Sequence, residues 1–284
     1  MTRKTIALLM ISISLLAQKS DLKTKLDAYI FKLPAPIKVC ISVNSLTSAK
    51  TQYHRNANQL VPAASLIKLP ILIELYAQAA EEKLDLDDKY TFLETDVASQ
   101  DGALHQNSVG KTFTFKELSR LMMIASDNSA TNILIKKLSK DGVNARMKSM
   151  GFNQLYLNRK MMDTAAINLG IQNFISTREM NLLLQKLYNY EVLTKKTCIT
   201  ILNLMTECND KTTFPAQLPD HIKIAHKTGS LNIVRSDAGI VFTQHPFVIS
   251  ATVEGFKAEA EAEKILADLA KLSYDYFQPK QAEK

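Results

Sequence analysis

Apolar residues alternate with a period of two near both ends of this chain, while the stretch between them repeats with the period of a helix. Ile37-Lys-Val-Cys-Ile-Ser-Val43 alternates and is rich in β-branched residues, so it reads as a strand, and a second strand is expected from Thr51 to His54. Three further strands follow much later, Ile222 to Thr228, Ser236 to Thr243 and Phe247 to Val253. Their short connections favour antiparallel pairing. Helices are expected at Leu22 to Phe31, Ala63 to Ala80, Thr114 to Ser126, Asn128 to Leu138, Thr177 to Tyr190, Thr194 to Glu207 and Ala258 to Phe277. A sheet assembled from early and late strands forces the chain into two lobes. The sheet lobe takes residues 21–60 and 215–284, and the helical lobe takes residues 61–214. A cleft between two such lobes is the natural place for a site. Arg159 to Phe174 has no clean period and reads as a long loop, which in a compact domain is usually functional.

The remaining composition excludes several classes. The chain has 284 residues, enough for one large catalytic domain over residues 21–284. Lys and Arg exceed Asp and Glu by 35 to 28, without a basic run, so nothing calls for nucleic acid. The three cysteines, Cys40, Cys198 and Cys208, contain no CxxC pair and read as buried thiols rather than a disulfide framework. The five histidines, His54, His105, His221, His226 and His245, show no metal-ligand spacing, so neither metal nor other cofactor is expected. His226 alternates to the opposite face from Lys227 and reads as structural. His105 lies in a polar segment that could border the cleft mouth. At the start, Arg3 and Lys4 precede the apolar run Thr5 to Ala17, which is short for a membrane span and right for a secretory signal. Residues 1–20 are expected to be a signal peptide. The mature protein is expected to be a soluble monomer, periplasmic or extracellular, without stable membrane insertion.

Three short elements carry chemistry. In Ser65-Leu66-Ile67-Lys68 a hydroxyl and an amine share one face of a helix start, and a nearby lysine can activate a serine. The alternative is a helix cap with a surface lysine, but Lys68 sits in an apolar run and needs a partner. Ser126-Asp127-Asn128 falls at a break between helices. Its short polar residues suit a helix cap, or a proton relay at Ser126 with an amide at Asn128 for a substrate carbonyl. Lys227-Thr228-Gly229-Ser230 ends an alternating strand, where a lysine and hydroxyls make an anion site and glycine permits close approach. A hairpin turn with a solvated lysine is the plainer alternative.

Taken together and in this order, these elements resemble the motif set of the class A β-lactamases and the penicillin-binding proteins. The resemblance runs from about Leu22 to Phe277 and is closest to class A. Ser126-Asp-Asn-Ser-Ala-Thr-Asn132 shares it beyond the tripeptide, including the second asparagine. It implies an α/β (α+β) fold, with an antiparallel sheet of about five strands flanked by helices and an all-helical lobe. It implies Ser65 as nucleophile, Lys68 and Ser126 as proton carriers, and the backbone N–H groups of Ser65 and Ser230 as oxyanion hole. Asn128 would hold the substrate's amide side chain. Lys227, Thr228 and Ser230 would bind its carboxylate, supported by Arg235. The partner would be a small β-lactam or a cell-wall peptide.

The long loop departs from the pattern. Class A enzymes carry R-x-E-x-x-L-N there, and the glutamate activates the water that hydrolyses the acyl-enzyme. Counting from Arg159, Met161 stands where the glutamate is expected and Ala165 where the asparagine is. A thioether is no general base. Asp163 is the nearest carboxylate and Asn168 the nearest amide; Asp163 serves as base only if the loop shifts, and is otherwise structural, for instance paired with Arg159. Three readings follow. The first is a β-lactamase with deacylation slowed by the missing glutamate. The second is a D-alanyl-D-alanine carboxypeptidase or transpeptidase blocked by β-lactams. The third is a non-catalytic binder of cell-wall peptides, against which the intact Ser65, Lys68 and Ser126 speak.

Overall fold

Alternation in the chain becomes two opposite faces of one sheet. The computed structural model describes residues 21–49, 52–99 and 102–278, so the expected signal segment lies outside the described residues. The chain begins with helix α1 (Leu22–Phe31) and strands β1 (Lys38–Ser45), β2 (Gln52–Arg55) and β3 (Val61–Pro62). Helix α2 (Lys68–Ala80), strands β4 (Lys89–Thr91) and β5 (Thr112–Thr114), and helices α3 (Phe115–Ile124) and α4 (Asn128–Leu138) follow. Helices α5 (Lys140–Ser149) and α6 (Thr164–Asn168), strand β6 (Phe174–Ile175), and helices α7 (Thr177–Tyr188) and α8 (Lys195–Thr206) complete the middle. The end is β7 (Lys223–Leu231), β8 (Val234–Phe242), β9 (Phe247–Glu254) and α9 (Glu259–Phe277).

The sheet is antiparallel throughout, in the order β2-β1-β9-β8-β7. Val39, Ile41 and Val43 of β1 and Phe247, Ile249, Ala251 and Val253 of β9 pack with Leu22, Leu26, Leu266 and Leu269 of α1 and α9. The alternate residues Cys40, Ala225, Ala238, Ile240 and Val248 face the helical lobe and join its core. The expected fold class, with its five-stranded antiparallel sheet and helical lobe, is therefore the observed one. Cys40, Cys198 and Cys208 are buried free thiols, as expected. Among the described residues no helix is long and apolar enough to cross a membrane.

Helix α2 is the axis of the helical lobe, with every residue from Lys68 to Ala77 buried. Pro70 is its third residue. At that position a backbone N–H has no partner within the helix, so its absence costs little. The free edge of β7 meets the start of α2, and this junction forms the cleft. The long loop is anchored there by two elements that periodicity does not reveal. Strands β3 and β6 pair Val61 with Ile175 and Pro62 with Phe174, and α6 is a helix of five residues.

Candidate active site

Ser65 lies in a short 3-10 turn, Ala64–Ile67, that runs directly into α2 at Lys68. The turn is fastened from below, since Ala63 N donates to the Asn173 carbonyl at 2.8 Å. Strand β7 approaches it closely because of Gly229. A Cβ there would stand 3.1 Å from Ser65 N, 3.0 Å from Ala64 Cβ and 2.6 Å from Ser236 Oγ. Only glycine allows the strand carrying Lys227 and Ser230 to come this near Ser65.

Two lysines converge on one hydroxyl. Lys68 Nζ donates to Ser126 Oγ at 3.0 Å, to the Ser126 carbonyl at 2.6 Å and to Asn128 Oδ1 at 2.9 Å. Lys227 Nζ donates to the same Ser126 Oγ at 3.1 Å and to the Thr228 carbonyl at 3.0 Å. Both lysines are buried. Burial, and then the neighbouring Lys227 charge, push the Lys68 ammonium well below the ordinary lysine range, against the opposing pull of Asp127. Burial also lowers Lys227. Lys68 therefore gives up its proton more readily than an ordinary lysine, three residues after Ser65.

Ser126 holds its place by a strained backbone. Its φ of 55° lies in the left-handed region, which costs a non-glycine residue about 1–3 kcal/mol. The next residue offsets this. Buried Asp127 caps α4 through Ala130 N at 2.7 Å and also accepts from Leu104 N at 2.8 Å. The capping reading of the tripeptide holds at Asp127, while Ser126 Oγ meets both lysines and Asn128 lines the pocket beside Ser65. His105 caps the short turn Gln106–Ser108 and is not among the residues lining the Ser65 pocket.

The pocket beside Ser65 is lined by Asn128, Arg159, Met161, Met162, Ile167, Asn173, Ser230 and Leu231, together with Ala64. Met161 occupies the wall because Asn132 clamps its backbone, accepting from Met161 N at 2.8 Å and donating to its carbonyl at 3.0 Å. Sequence reasoning noted Asn132 only as part of a motif, without this role. The expectation that Asp163 supplies a base is corrected here. Its carboxylate accepts from Ala166 N at 3.0 Å and caps α6, and it is not among the lining residues. Nor does Arg159 hydrogen-bond Asp163. Its guanidinium donates to Gln172 Oε1 at 2.9 Å and to the Lys160 carbonyl at 3.0 Å. Asn168, the nearest amide in the chain, ends α6 and likewise stays out of the wall.

Behind the cleft, His226 points to the side of the sheet opposite Lys227, as alternation requires, and pairs with Asp237 at 3.0 Å. Burial opposes its charge, but Asp237 raises the imidazole to about 9. Arg235, expected to support a substrate carboxylate, is instead surrounded by carboxylates. Its guanidinium meets Asp210 at 2.6 Å, Glu263 at 3.0 Å and Glu259 at 3.1 Å, and donates to the Gly229 carbonyl at 3.2 Å. A larger cavity of about 550 Å³ opens between α3 and α8, beside Arg120, Asn203 and Glu207, and contains none of the motif residues. Among the described residues no group of His, Cys, Asp and Glu is arranged to hold a metal.

The sequence pattern of the "Beta-lactamase enzyme family" matches residues 21–277. The β-lactamase VEB-1 of Pseudomonas aeruginosa is 26% identical over 280 residues, covering 92% of each chain. The solved structure of PBP-A is 25% identical and superposes with a TM-score of 0.82, over 90% of this chain and 95% of that one. A β-lactamase from Sphaerobacter thermophilus shares the fold at 23% identity and a TM-score of 0.81, over 90% of this chain and 96% of its own. With the match running from the first described helix to the last, the protein belongs to the β-lactamase enzyme family and is a class A-like serine hydrolase in its construction.

Proposed function

We propose that the protein is an exported enzyme whose Ser65 is acylated by β-lactams and which hydrolyses the resulting ester slowly. Acylation follows from the lysine pair. Ser65 Oγ attacks the lactam carbonyl carbon and its proton passes to neutral Lys68. The backbone N–H groups of Ser65 and Ser230 receive the developing oxyanion, a contribution of about 3–4 kcal/mol per donor. The C–N bond then breaks, and the ring nitrogen takes its proton from Ser126 Oγ, which Lys68 resupplies across 3.0 Å. The amide of Asn128 is oriented with its oxygen toward Lys68, which leaves its N–H groups for a substrate carbonyl.

The observation that carries slow release is the wall facing the ester. Met161, Met162 and Ile167 line the pocket, and no Asp or Glu is among its lining residues. Water there finds a thioether and alkyl groups in place of a proton acceptor. General-base assistance is typically worth about 10²–10⁴-fold, and its loss slows deacylation. The export reading is supported by Arg3 and Lys4 ahead of the apolar run Thr5 to Ala17.

A second reading, a D-alanyl-D-alanine peptidase that β-lactams block, is favoured by the likeness to PBP-A, of which a variant is known as an acyl-enzyme with penicillin G. Supplying an acyl-D-Ala-D-Ala peptide and benzylpenicillin in separate reactions tells the two apart. The primary reading expects penicilloate to accumulate beyond one equivalent, slowly, with no release of D-alanine. Release of D-alanine, with penicillin consumption stopping near one equivalent, would establish the peptidase instead. Penicillin turnover within seconds would contradict slow release.

A further inference from the structure

The Ser230 hydroxyl near the end of β7 already has an acidic partner within the protein. Lys227, Thr228 and Ser230 present an ammonium and two hydroxyls along β7, a set suited to a carboxylate. Yet the Ser230 hydroxyl donates to Glu259 Oε1 at 2.6 Å. The same oxygen lies 3.1 Å from Arg235 Nε. Arg235 stands directly across the ladder from Ser230, and the rest of its fork is also engaged. Its Nη2 donates to Asp210 at 2.6 Å, Thr212 at 3.0 Å and Glu263 at 3.0 Å, and its Nη1 to the Gly229 carbonyl at 3.2 Å. One guanidinium, 4% exposed, therefore faces three carboxylates. Burial would raise Asp210, but its bonds to Arg235 and Thr212 hold it well below the usual carboxylate range. Glu259 is the first residue of α9, where the helix dipole favours an anion. Its side chain is 52% exposed, so among the three it is the one free to turn aside.

We infer that Glu259 is a specificity-determining residue, which weakens the hold of the cleft on a substrate carboxylate next to the scissile amide relative to a neutral group at the same place. A substrate anion seated on Thr228 and Ser230 must take the Ser230 hydroxyl from Glu259 and then lie against its charge, while the positive field of Arg235 is more than cancelled. An ester or amide at the same place meets no such repulsion. This inference rests on acylation of Ser65 by β-lactams.

The test compares acylation of the full enzyme by benzylpenicillin and by its methyl ester, as second-order rate constants. In Glu259→Gln the ratio of acid to ester is expected to rise several-fold, about what removing one half-exposed unit charge at close range gives. Gln keeps an oxygen to accept from Ser230, so the local fold is retained. Glu261→Gln is the control. It lies in the same helical turn, but its carboxylate accepts from Lys257 N at 3.0 Å rather than from Ser230. A ratio that moves in Glu259→Gln and not in Glu261→Gln supports the inference. A ratio unmoved in Glu259→Gln, or raised equally in both, overturns it while leaving the function in place. Failure of both compounds to acylate Ser65 overturns the function and the inference together.

Discussion

Ser65→Ala is expected to abolish covalent labelling by a fluorescent penicillin on a denaturing gel, a loss of at least about 10³-fold. The effect is large because no other hydroxyl is set up to replace it. Ser65 lies in the turn that leads into α2, half-buried at the cleft. Ser126 Oγ accepts from Lys68 Nζ at 3.0 Å and from Lys227 Nζ at 3.1 Å. An oxygen accepting two such bonds has less electron density left for nucleophilic attack, and the proposed reaction uses it for proton transfer. The hydroxyl of Ser65 contributes little to packing, so thermal stability should change by no more than about 0.5 kcal/mol. The two readouts together separate loss of the nucleophile from loss of the fold. Persistent labelling of Ser65→Ala would remove Ser65 as the acylated residue.

Met161→Glu is expected to shorten the lifetime of the acyl-enzyme at least about tenfold. The backbone at this position is fixed by both bonds to Asn132, and the side chain is part of the wall facing Ser65. A carboxylate here would supply the proton acceptor that the wall lacks. General-base catalysis offers about 10²–10⁴-fold, and a misplacement of about 1 Å can remove on the order of 100-fold of that; tenfold is the conservative remainder. Met161→Gln is the control, similar in shape but without basicity. Decay measured with benzylpenicillin should accelerate in Met161→Glu and not in Met161→Gln. Equal acceleration in both would mean that opening the wall to water, rather than supplying a base, governs release.

The architecture was legible because its signal is local. Period-two alternation in Ile37 to Val43 and Phe247 to Val253 predicts which residues face α1 and α9, and the core follows that pattern. The motif residues Ser65, Lys68, Ser126, Asn128 and Lys227 also meet, through hydrogen bonds or a shared pocket. What escaped the sequence was either weakly apolar or purely tertiary. Helix α5 buries only Val143 and Met147 and contains Gly142, so its period is faint. The pairing of β3 with β6 spans only two residues on each strand. Asp163 did carry a local signal, since an aspartate just before Thr-Ala-Ala suits a helix cap, and the geometry agrees with that assignment rather than with a base. Arg235 could not have been placed from its neighbours in the chain. Its surroundings come from Asp210, Glu259 and Glu263, brought together only when α9 packs on the sheet. The clamp of Asn132 on Met161 spans 29 positions and is equally invisible to periodicity.

The proposed reaction leaves a covalent ester on Ser65 that outlasts its formation. Intact mass followed over time, after mixing the purified protein with excess benzylpenicillin, tests it most directly. An adduct of one penicillin that maps to Ser65, forms within the mixing period and clears only slowly is the predicted result. Penicillin hydrolysed rapidly with no adduct accumulating would contradict slow release, and a protein mass that never changes while penicillin stays intact would contradict the acyl-enzyme itself.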